Sequence, residues 1–574
     1  MTVAHGEPGR FSAAGINKKD MNKIRVGLLL EDFEQSAWAC TMVRNIQESA
    51  SAEVVLVIKK ETQEKKKSSP WSFIREKSTN FFYKVYVKLE NRFTKNKPDA
   101  FAPMDLRPLI GTAAIIPVQC IEKKFSDYIR EEDLAVIRQH KPDVLIRMGF
   151  RILRGGILQA ARYGIWSYHH GDNFRYRGGP NGFWEVFKGE KEVGAVLQIL
   201  TEDLDGGQIL FRSWSGVEAK LNSTQNTTFW KTTTFISRKL NELHRLGPDE
   251  FFRRVEQLNQ PLTMYSGRNY TMPKGGEFIR LFCKKILKAV KRKMDRLIYK
   301  EQWILLYAFQ DKPGIAKSIF RYKRLQPSLD KYWADPFPYY RDGRYYIFFE
   351  EVPNPGADEV GHISVMEIKK NGEVSEPVIV LKKDYHLSYP FLFEHNGELY
   401  MIPETSQHST VELYKCTGFP TTWEFAGNLL ENIKATDSTL LYKDGKYWLF
   451  ATVCETAGAS MSEELFLFHA DELIGGNWQP HPGNPVISDV RSARPAGAFF
   501  TYNGKLYRPS QDCAGRYGFA TNINEVLELN EHSYREQRVT RVSPDWAKDV
   551  LATHTLTFSH DLTMIDAIVK RRKW

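Results

Sequence analysis

The second half of the chain repeats one pattern four times: a β-rich run, a two-residue turn and a second β-rich run. The turns are Asp342-Gly343, Asn396-Gly397, Asp444-Gly445 and Asn503-Gly504, and they follow one another at intervals of 54, 48 and 59 residues. Asn-Gly and Asp-Gly between β-rich runs favour type I′ hairpins, because both central residues need positive φ. Repeats of this length are typical of the four-stranded blades of a β-propeller.

A fifth, degenerate copy begins near Thr553 with the run THTLTFSHDLTMID. Five blades closed around one axis are therefore predicted for residues 302–570, with a β-sandwich as the alternative that the regular spacing disfavours. The symmetry of a propeller places equivalent residues at one height around its channel. The residues seven positions before each turn are Asp335, Tyr389, Asp437 and Ala496, and His554 matches them in the fifth copy.

These positions predict a polar channel mouth at which two aspartates, Asp335 and Asp437, converge. Paired carboxylates beside an arginine and aromatic rings suit sugar hydroxyls, and they also suit glycosidic cleavage. The alternative is a structural role, in which the aspartates cap backbone amides or fix a blade. The predicted substrate-binding residues of this half are Asp335, Asp437, Glu404, Arg494, Asp512 and His554.

The motifs of this half are ADPF, HLSYPF, PET, ARPAG, RPSQDC and HT. They resemble the N-terminal domain of the plant glucosamine inositolphosphorylceramide transferases, whose glycosyltransferase domain is a separate piece. More distantly, the half resembles arabinanase-type and fructosidase-type glycoside hydrolases with five-bladed propellers. That resemblance implies a base at Asp335, within its Asp-Pro pair, and a second aspartate at Asp437. The general-acid glutamate of those hydrolases is missing, because the run at its place is SARPAG, residues 492–497.

The first half alternates apolar runs with helical patterns. Lys23–Asp32, Glu53–Lys59 and Pro142–Leu153 are apolar runs of the kind found in buried parallel strands, so we predict an α/β domain over residues 22–270. No G-x-G-x-x-G follows the first strand, so a dinucleotide site is not predicted. The lysine-rich and then aromatic segment Lys59–Lys97 predicts an inserted surface helix with a solvated basic face, rather than a nucleic-acid surface.

The stretch Gly164–Leu210 has a histidine at a strand end, an Arg-Gly loop (RYRGGP) and an acidic turn (LDGG). It resembles the signature of the folate-dependent formyltransferases, which carry N-x-H, a loop ending in R-G, and a late D-x-G. The resemblance implies a Rossmann-like α/β fold and assigns the histidine to His169 and the acid to Asp205. It also implies that Arg177 and Gly178 bind substrate.

The family reaction moves a formyl group from a folate nitrogen to an amine through a tetrahedral oxyanion. The resemblance implies His169 as general acid/base, Asp205 as its partner, and 10-formyltetrahydrofolate as the donor. No metal is predicted. Ser167 stands where the family has asparagine, and it is expected to be a weaker oxyanion donor; losing one such donor typically costs roughly 10²–10³ in rate. The family's L-L-P after the histidine is also replaced, by residues 172–174 (DNF).

Between the halves, residues 277–300 have apolar residues at 278, 282, 286, 290, 294 and 297/298 and carry nine basic and two acidic residues. This pattern predicts a basic amphipathic helix within a linker spanning residues 271–301. We favour packing of its apolar stripe on a sheet, with the basic face toward solvent or lipid headgroups. The alternative is contact with an anionic membrane surface, which the net charge of +11 also suits.

The composition bears on location. The six cysteines have no paired spacing, which favours reduced thiols. The N-terminus lacks the apolar core of a secretory signal, and no run of about 18 apolar residues occurs. We therefore expect a cytoplasmic protein, or one peripheral to the inner face of the membrane, and we expect residues 1–21 to be disordered.

Together these patterns predict a two-domain protein of cell-envelope or polysaccharide sugar metabolism. It would transfer a formyl or other acyl group to an amino sugar, and its propeller would bind or process the glycan. The expected partner is a nucleotide-linked or lipid-linked sugar or glycan, with no nucleic acid. One alternative is a glycosidase or transglycosidase that acts through the propeller beside a degenerate first domain. The other is a non-catalytic carbohydrate-binding protein.

Overall fold

The computed structural model of the protein describes residues 22–61, 80–203, 206–261, 268–353 and 360–573. The expectation for residues 1–21 and the predicted site residue Asp205 lie outside these ranges. The chain forms two compact units. One comprises Met1–Trp184, Gly194–Ser213 and Leu221–Gly275, and the other comprises Glu185–Val193, Trp214–Lys220 and Gly276–Trp574. The domain bounds inferred from the sequence stay predictions.

The first half of the chain contains twelve described strands and most of the helices. The strands are β1 (Ile24–Leu30), β2 (Glu34–Ser36), β3 (Ala52–Lys60), β4 (Pro103–Asp105), β5 (Ala114–Val118), β6 (Cys120–Glu122), β7 (Ser126–Ile129), β8 (Val144–Arg147), β9 (Ile152–Leu153), β10 (Ile165–His169), β11 (Glu192–Ile199) and β12 (Gln208–Gly216). The helices are α1 (Ala37–Gln47), α2 (Phe81–Phe93), α3 (Glu131–Gln139), α4 (Phe183–Lys188), α5 (Leu221–Thr232), α6 (Phe235–Leu246), α7 (Pro248–Asn259) and α8 (Gly275–Ile298).

Seven of these strands form one sheet in the order β12-β11-β10-β8-β1-β3-β5. Strands β5, β3, β1, β8 and β10 run parallel, and β11 is antiparallel to β10. Val26 and Leu28 of β1 and Val57 of β3 are fully buried, because helices cover both faces of a parallel sheet. The three parallel strands predicted from apolar runs are thus confirmed as β1, β3 and β8, and they are neighbours. The predicted insertion is helical over α2, while residues 62–79 lie outside the described ranges.

The second half, where the structure describes it, is built mainly of β-strands. They are β13 (Tyr299–Phe309), β14 (Lys323–Leu325), β15 (Lys331–Arg341), β16 (Arg344–Pro353), β17 (His362–Ile368), β18 (Val378–Leu381), β19 (Ser388–His395), β20 (Glu398–Glu404), β21 (Thr410–Gly418), β22 (Thr422–Glu431), β23 (Ala435–Lys443), β24 (Lys446–Val453), β25 (Glu464–Ala470), β26 (Gln479–Pro480), β27 (Ile487–Ser488), β28 (Phe500–Tyr502), β29 (Lys505–Asp512), β30 (Ala520–Leu529), β31 (Tyr534–Val542), β32 (Val550–Ala552), β33 (Leu556–Ser559) and β34 (Leu562–Arg572).

These strands form the five sheets of a propeller, as predicted. Blades one to four are β15–β18, β19–β22, β23–β26 with β27, and β28–β31. At the four predicted turns the Asx residue has φ of 50–54° and the glycine 75–78°, which confirms type I′ hairpins. The inner strands of blades one to three contact in turn, β15 with β19 and β19 with β23. Strands β33 and β34 of the fifth blade pack against β15, so the first and last blades meet.

The fifth blade is assembled from both ends of the propeller sequence. Its strand order is β14-β13-β34-β32, with β33 also paired to β34. Strand β13 pairs antiparallel with β34 along its whole length, from Tyr299 opposite Arg572 to Phe309 opposite Leu562. The sequence repeat pointed only to the C-terminal part of this blade, because β13 and β14 carry no Asx-Gly hairpin.

The basic helix exists as α8, but the predicted packing of its whole apolar stripe is wrong. Of its side chains only Phe278 and Leu281 are buried, and the apolar residues from Ile286 onward are exposed. A strict four-residue interval exceeds the 3.6 residues of a helical turn, so the stripe winds around the axis by about 40° at each step. Its two ends therefore face different sides. Within the described residues, no helix combines the length and apolar character needed to cross a bilayer.

Candidate functional site

In the α/β sheet, the side chain of Ser167 lies beside an arginine of the neighbouring parallel strand. Ser167 of β10 is opposite Arg147 of β8 and is buried. The Arg147 Nη1 donates to Ser167 Oγ at 3.2 Å, and its Nε and Nη2 donate to the Phe150 carbonyl at 3.3 and 3.1 Å. Burial lowers the pKa of Arg147. A guanidinium therefore stands at the carboxyl edge of the sheet, where α/β sheets bind ligands.

Two adjacent histidines, His169 at the end of β10 and His170 just after it, differ in their surroundings. His170 is buried: its ring stacks on Phe229 with centroids 3.6 Å apart, and its Nε2 lies 3.1 Å from Thr232 Oγ1. Burial lowers the pKa of His170 to about 3, so this ring stays neutral and is part of the buried core. His169 is half-buried at the strand end, with its Nε2 beside Gly171, where an added Cβ would come within 3.0 Å.

The polar loop that follows the histidines folds onto the antiparallel edge of the sheet. Asp172 Oδ1 accepts the backbone N–H of Phe174 at 2.9 Å. Arg212 of β12 donates to Asn173 Oδ1 at 2.9 Å and lies over the Phe174 ring at 3.6 Å. A Cβ on Gly194 of β11 would come within 2.8 Å of the Asp172 backbone, so strand and loop touch. Asp172 and Asn173, the two polar residues of the D-N-F run that replaces L-L-P, therefore anchor this loop.

The Arg-Gly loop has a structural reason for its glycine. Gly178 has φ of +91°, and a Cβ there would lie 2.0 Å from the Tyr270 carbonyl. The backbone N–H of Tyr270 donates to the Arg177 carbonyl at 2.7 Å, and that of Gly179 donates to the Tyr270 carbonyl at 3.0 Å. Only glycine fits so close an approach. The predicted substrate-binding role of Arg177 and Gly178 stays a prediction.

In the propeller, the equivalence of the predicted inner-strand positions is seen in blades one to three. Asp335, Tyr389 and Asp437 have φ of 49°, 45° and 51°, and each sits at a register shift of its inner strand. Left-handed backbone at such residues costs on the order of 1–3 kcal/mol and persists only where the surroundings impose it. The bulge in each of these three blades therefore aims a side chain at the axis.

Asp437 is held by Arg494 of blade four. Arg494 Nε and Nη2 donate to the two Asp437 oxygens at 2.6 and 3.0 Å, and Nη2 also donates to Glu404 at 3.2 Å. Gln511 donates to Asp437 Oδ2 at 2.7 Å. Burial raises the pKa of Asp437, and Arg494 opposes that shift. Burial alone would lower the pKa of Arg494, but Asp437 raises it well above its usual range.

Asp335 belongs to a second buried cluster with His554. His554 Nδ1 lies 2.7 Å from Asp566 and 3.7 Å from Asp335, whose Oδ1 accepts from Thr555 Oγ1 at 2.5 Å. Burial raises the pKa of Asp335 to about 7. Burial alone would lower the pKa of His554, but Asp566 and Asp335 raise it to about 9. Asp335, His554 and Asp566 bring three potential ligand atoms within 4.8 Å of one another, so they could also hold a cation.

These clusters line a cavity of about 260 Å³ at the propeller axis. His386 lies 3.0 Å from Glu350; burial alone would lower the pKa of His386, but Glu350 raises it. The ring of Trp303 stacks on His554 with centroids 4.1 Å apart. The charged lining residues are Asp335, Glu350, His386, Glu404, Arg494 and His554, and the aromatic ones are Trp303, Tyr332 and Tyr517.

Four of the six predicted propeller residues therefore meet in the cavity lining: Asp335, Glu404, Arg494 and His554. Asp437 is bonded to Arg494 and is not itself part of the lining. Asp512 is elsewhere: it pairs with Arg541 at 2.8 Å and caps the Ala514 N–H, because neighbouring strand residues point to opposite faces and Gln511 takes the inward one.

Sequence patterns missed Trp303, Tyr332, Tyr517, His386 and Asp566. Trp303 comes from β13, outside the repeats, and Asp566 comes from the middle of β34, where the fifth copy is degenerate. A signal did exist for Glu350, which lies eight residues after the first turn, in register with Glu404 after the second. Both of these glutamates line the cavity.

The cavity is lined by carboxylates, cationic side chains and aromatic rings, a combination that suits the hydroxyl groups and ring faces of a sugar. Glycosidic cleavage typically uses two carboxyl groups, one as general acid and the other as base or nucleophile. Burial raises the pKa of both Asp335 and Asp437, but Asp437 is bonded to Arg494, which precedes blade four near the place expected for a general acid. The geometry is thus more complete for binding than for hydrolysis.

The fold and these sites define a two-part protein, with a formyltransferase-like α/β sheet and a five-bladed propeller with a polar axial cavity. Residues 324–564 match the family described as glucosamine inositolphosphorylceramide transferase 1, N-terminal. The glucosamine inositolphosphorylceramide transferase 1 of Arabidopsis thaliana is 35% identical over 209 residues, which are 36% of this chain and 27% of that protein. The chain thus spans about a quarter of the length of this curated relative.

The first half matches a different class. The methionyl-tRNA formyltransferase of Chlorobium chlorochromatii is 29% identical over 90 residues, 16% of this chain and 29% of that enzyme. These sequence matches confirm the two predicted resemblances. Among solved structures, the family 117 glycoside hydrolase Zg3597 of Zobellia galactanivorans covers 47% of this chain and 90% of its own, at 12% identity and TM-score 0.30. The phosphoribosylglycinamide formyltransferase of Anaplasma phagocytophilum covers 38% and 89%, at 14% identity and TM-score 0.25.

Proposed function

We propose that the protein modifies sugars, with the propeller binding a glycan and the α/β unit transferring a formyl group to the amine of an amino sugar. The observation that carries the proposal is the axial cavity, in which carboxylates and an arginine stand among three aromatic rings. The curated relatives are named for glucosamine and inositolphosphorylceramide, which favours a lipid-linked amino sugar as the acceptor class. A cytoplasmic site of action is part of the proposal.

The α/β unit retains groups that fit formyl transfer. Ser167 occupies the strand position at which the family has the asparagine amide, and the guanidinium of Arg147 lies beside it. A cationic hydrogen-bond donor is therefore present for an oxyanion. His169, at the end of β10, is the residue to move the proton between nitrogens, with Asp205 as its predicted partner. 10-Formyltetrahydrofolate supplies the formyl group when bound.

The test of formyl transfer is direct. The purified chain is incubated with 10-formyltetrahydrofolate and nucleotide-linked or lipid-linked amino sugars, and the formylated sugar is measured by mass spectrometry. We expect product with the wild type and a loss of about 10²-fold or more with His169→Ala. His140→Ala is the matched control on the same unit. Absence of product from every amino sugar, with Ser167→Asn also inactive, overturns the transferase proposal.

A second candidate for the propeller is binding without turnover, and Arg494 favours it. The arginine holds Asp437 in a bidentate pair, so this carboxylate is not available as a free base. Binding is measured on a glycan array with the intact chain. Glu404→Gln is expected to weaken binding about tenfold, since it removes a charged hydrogen-bonding group from the cavity. Glu376→Gln, at an exposed position, is the control. Release of cleaved sugar that Asp335→Asn abolishes would instead establish a glycosidase.

A further inference from the structure

Helix α8 leaves most of its apolar side chains in solvent. Leu287 is 70% exposed, Leu297 58% and Met294 54%. At about 100° per residue, the exposed apolar residues fall within one sector about 120° wide. The residues of this apolar sector are Ile279, Ile286, Leu287, Val290, Met294, Leu297 and Ile298.

The contacts that fix α8 lie on its other side. Phe278 packs against Phe187 with ring centroids 5.6 Å apart, and Leu281 is buried. Near the far end, Asp295 pairs with Lys570 of β34 at 3.0 Å. On a helical projection these residues are displaced by roughly 100–180° from the middle of the apolar sector. The apolar sector therefore faces outward while the helix is held at both ends.

Basic residues occupy the remainder of the helix surface. Lys284, Lys291 and Lys293 are exposed and flank the apolar sector, and one of the two acidic residues, Asp295, is neutralised by Lys570. An exposed apolar sector bordered by lysines is the pattern of a helix that lies in the plane of a membrane interface. A second copy of the chain is a poor occupant, because two such surfaces would bring their lysines together.

We propose that α8 binds the surface of an anionic phospholipid bilayer, with its apolar sector at the headgroup–acyl boundary and its lysines on the lipid phosphates. Apolar burial and electrostatic attraction both contribute to such binding. None of the α8 residues lines the axial cavity. The proposal does not depend on the function proposed above.

The test is flotation of the full-length protein with vesicles of phosphatidylcholine alone or mixed with phosphatidylglycerol. We expect binding to the anionic vesicles only, and weaker binding as salt is raised. The triple variant Lys284→Gln, Lys291→Gln, Lys293→Gln is expected to lose about 100-fold in affinity. Its matched control is Lys312→Gln, Lys382→Gln, Lys548→Gln, at exposed lysines of the propeller, which should bind like the wild type.

A second variant separates the apolar contribution. Leu287→Gln, Val290→Gln, Leu297→Gln should lower vesicle affinity at least about tenfold, whereas Val378→Gln, Ile379→Gln, Ile474→Gln, at exposed positions of the propeller, should not. Circular dichroism checks that every variant is folded. Equal binding by both α8 variants and the wild type overturns the proposal. So does a dimer that the apolar variant dissociates, seen by sedimentation velocity, in a protein that does not float with vesicles.

Discussion

Arg494 and Asp437 are both removed from solvent, so each depends on the other for charge compensation. Removing one partner of a buried pair leaves an uncompensated charge and typically costs about 3–5 kcal/mol. We therefore expect Arg494→Leu to lower the free energy of unfolding by about that amount in urea titrations. Arg324→Leu is the control: its pair with Asp549 is partly exposed and should contribute about 1 kcal/mol or less. Equal losses would show that burial is not the deciding factor.

His554 predicts a pH dependence of stability. Its pKa is raised from 6.5 to about 9 by Asp566 and Asp335, against the effect of burial. The folded state thus binds a proton more tightly than the unfolded state, so this contribution is full below pH 6.5 and is lost as the pH rises through about 9. A shift of this size corresponds to roughly 2–4 kcal/mol.

The measurement is urea unfolding at several pH values between these limits. His554→Gln should remove most of the decline in stability across the interval, and His532→Gln, at an exposed histidine, should leave it unchanged. If the wild type and His554→Gln lose stability in parallel, the histidine is not the titrating group.

At the scale of elements, the hairpin turns allow the free-energy cost of a positive φ to be measured without a change in packing. Gly445 has φ of +78° and no heavy atom within 4 Å of the position that a Cβ would take, and Gly276 also has open space but no positive φ. Gly445→Ala should therefore destabilise by about 1 kcal/mol through strain alone. Gly276→Ala, in the first turn of α8, should be neutral or slightly stabilising. Thermal unfolding of both variants compares them, and an equal effect would contradict the assignment to φ.

Local signals explain what the sequence could predict. Asx-Gly turns fix four hairpins, and apolar runs mark β1, β3 and β8, because these features depend on residues close together in the chain. The position of β13 could not be predicted, since its pairing with β34 joins distant segments. The contact between Arg147 and Ser167 could not be predicted either, because it joins two different strands. The direction in which the apolar sector of α8 faces could not be predicted, because it depends on the packing of Phe278.

At the scale of the whole molecule, closure of the propeller by β13 can be tested with fragments. A fragment beginning at Tyr299 contains every propeller strand, and one beginning at Asp311 lacks β13. We expect the first to melt in one cooperative transition. The second should melt at a lower temperature or remain unfolded, because Ile304 and Leu306 no longer cover the fifth blade. Strand β34 would keep its pairing with β32 and β33, but the edge that pairs with β13 would be left open. Equal melting temperatures by calorimetry would show that the ring does not need this strand.

During synthesis, β13 is made long before β34, the strand with which it pairs. Phe309 pairs with Leu562, so an early strand waits for a partner that the ribosome makes roughly 250 residues later. At about 5–20 residues per second, that delay is on the order of 10–50 s. Throughout it, an apolar strand with unsatisfied backbone groups is open to pairing with other nascent chains. Strand β13, which holds the two ends of the finished propeller together, is therefore a segment that needs protection by a chaperone during translation.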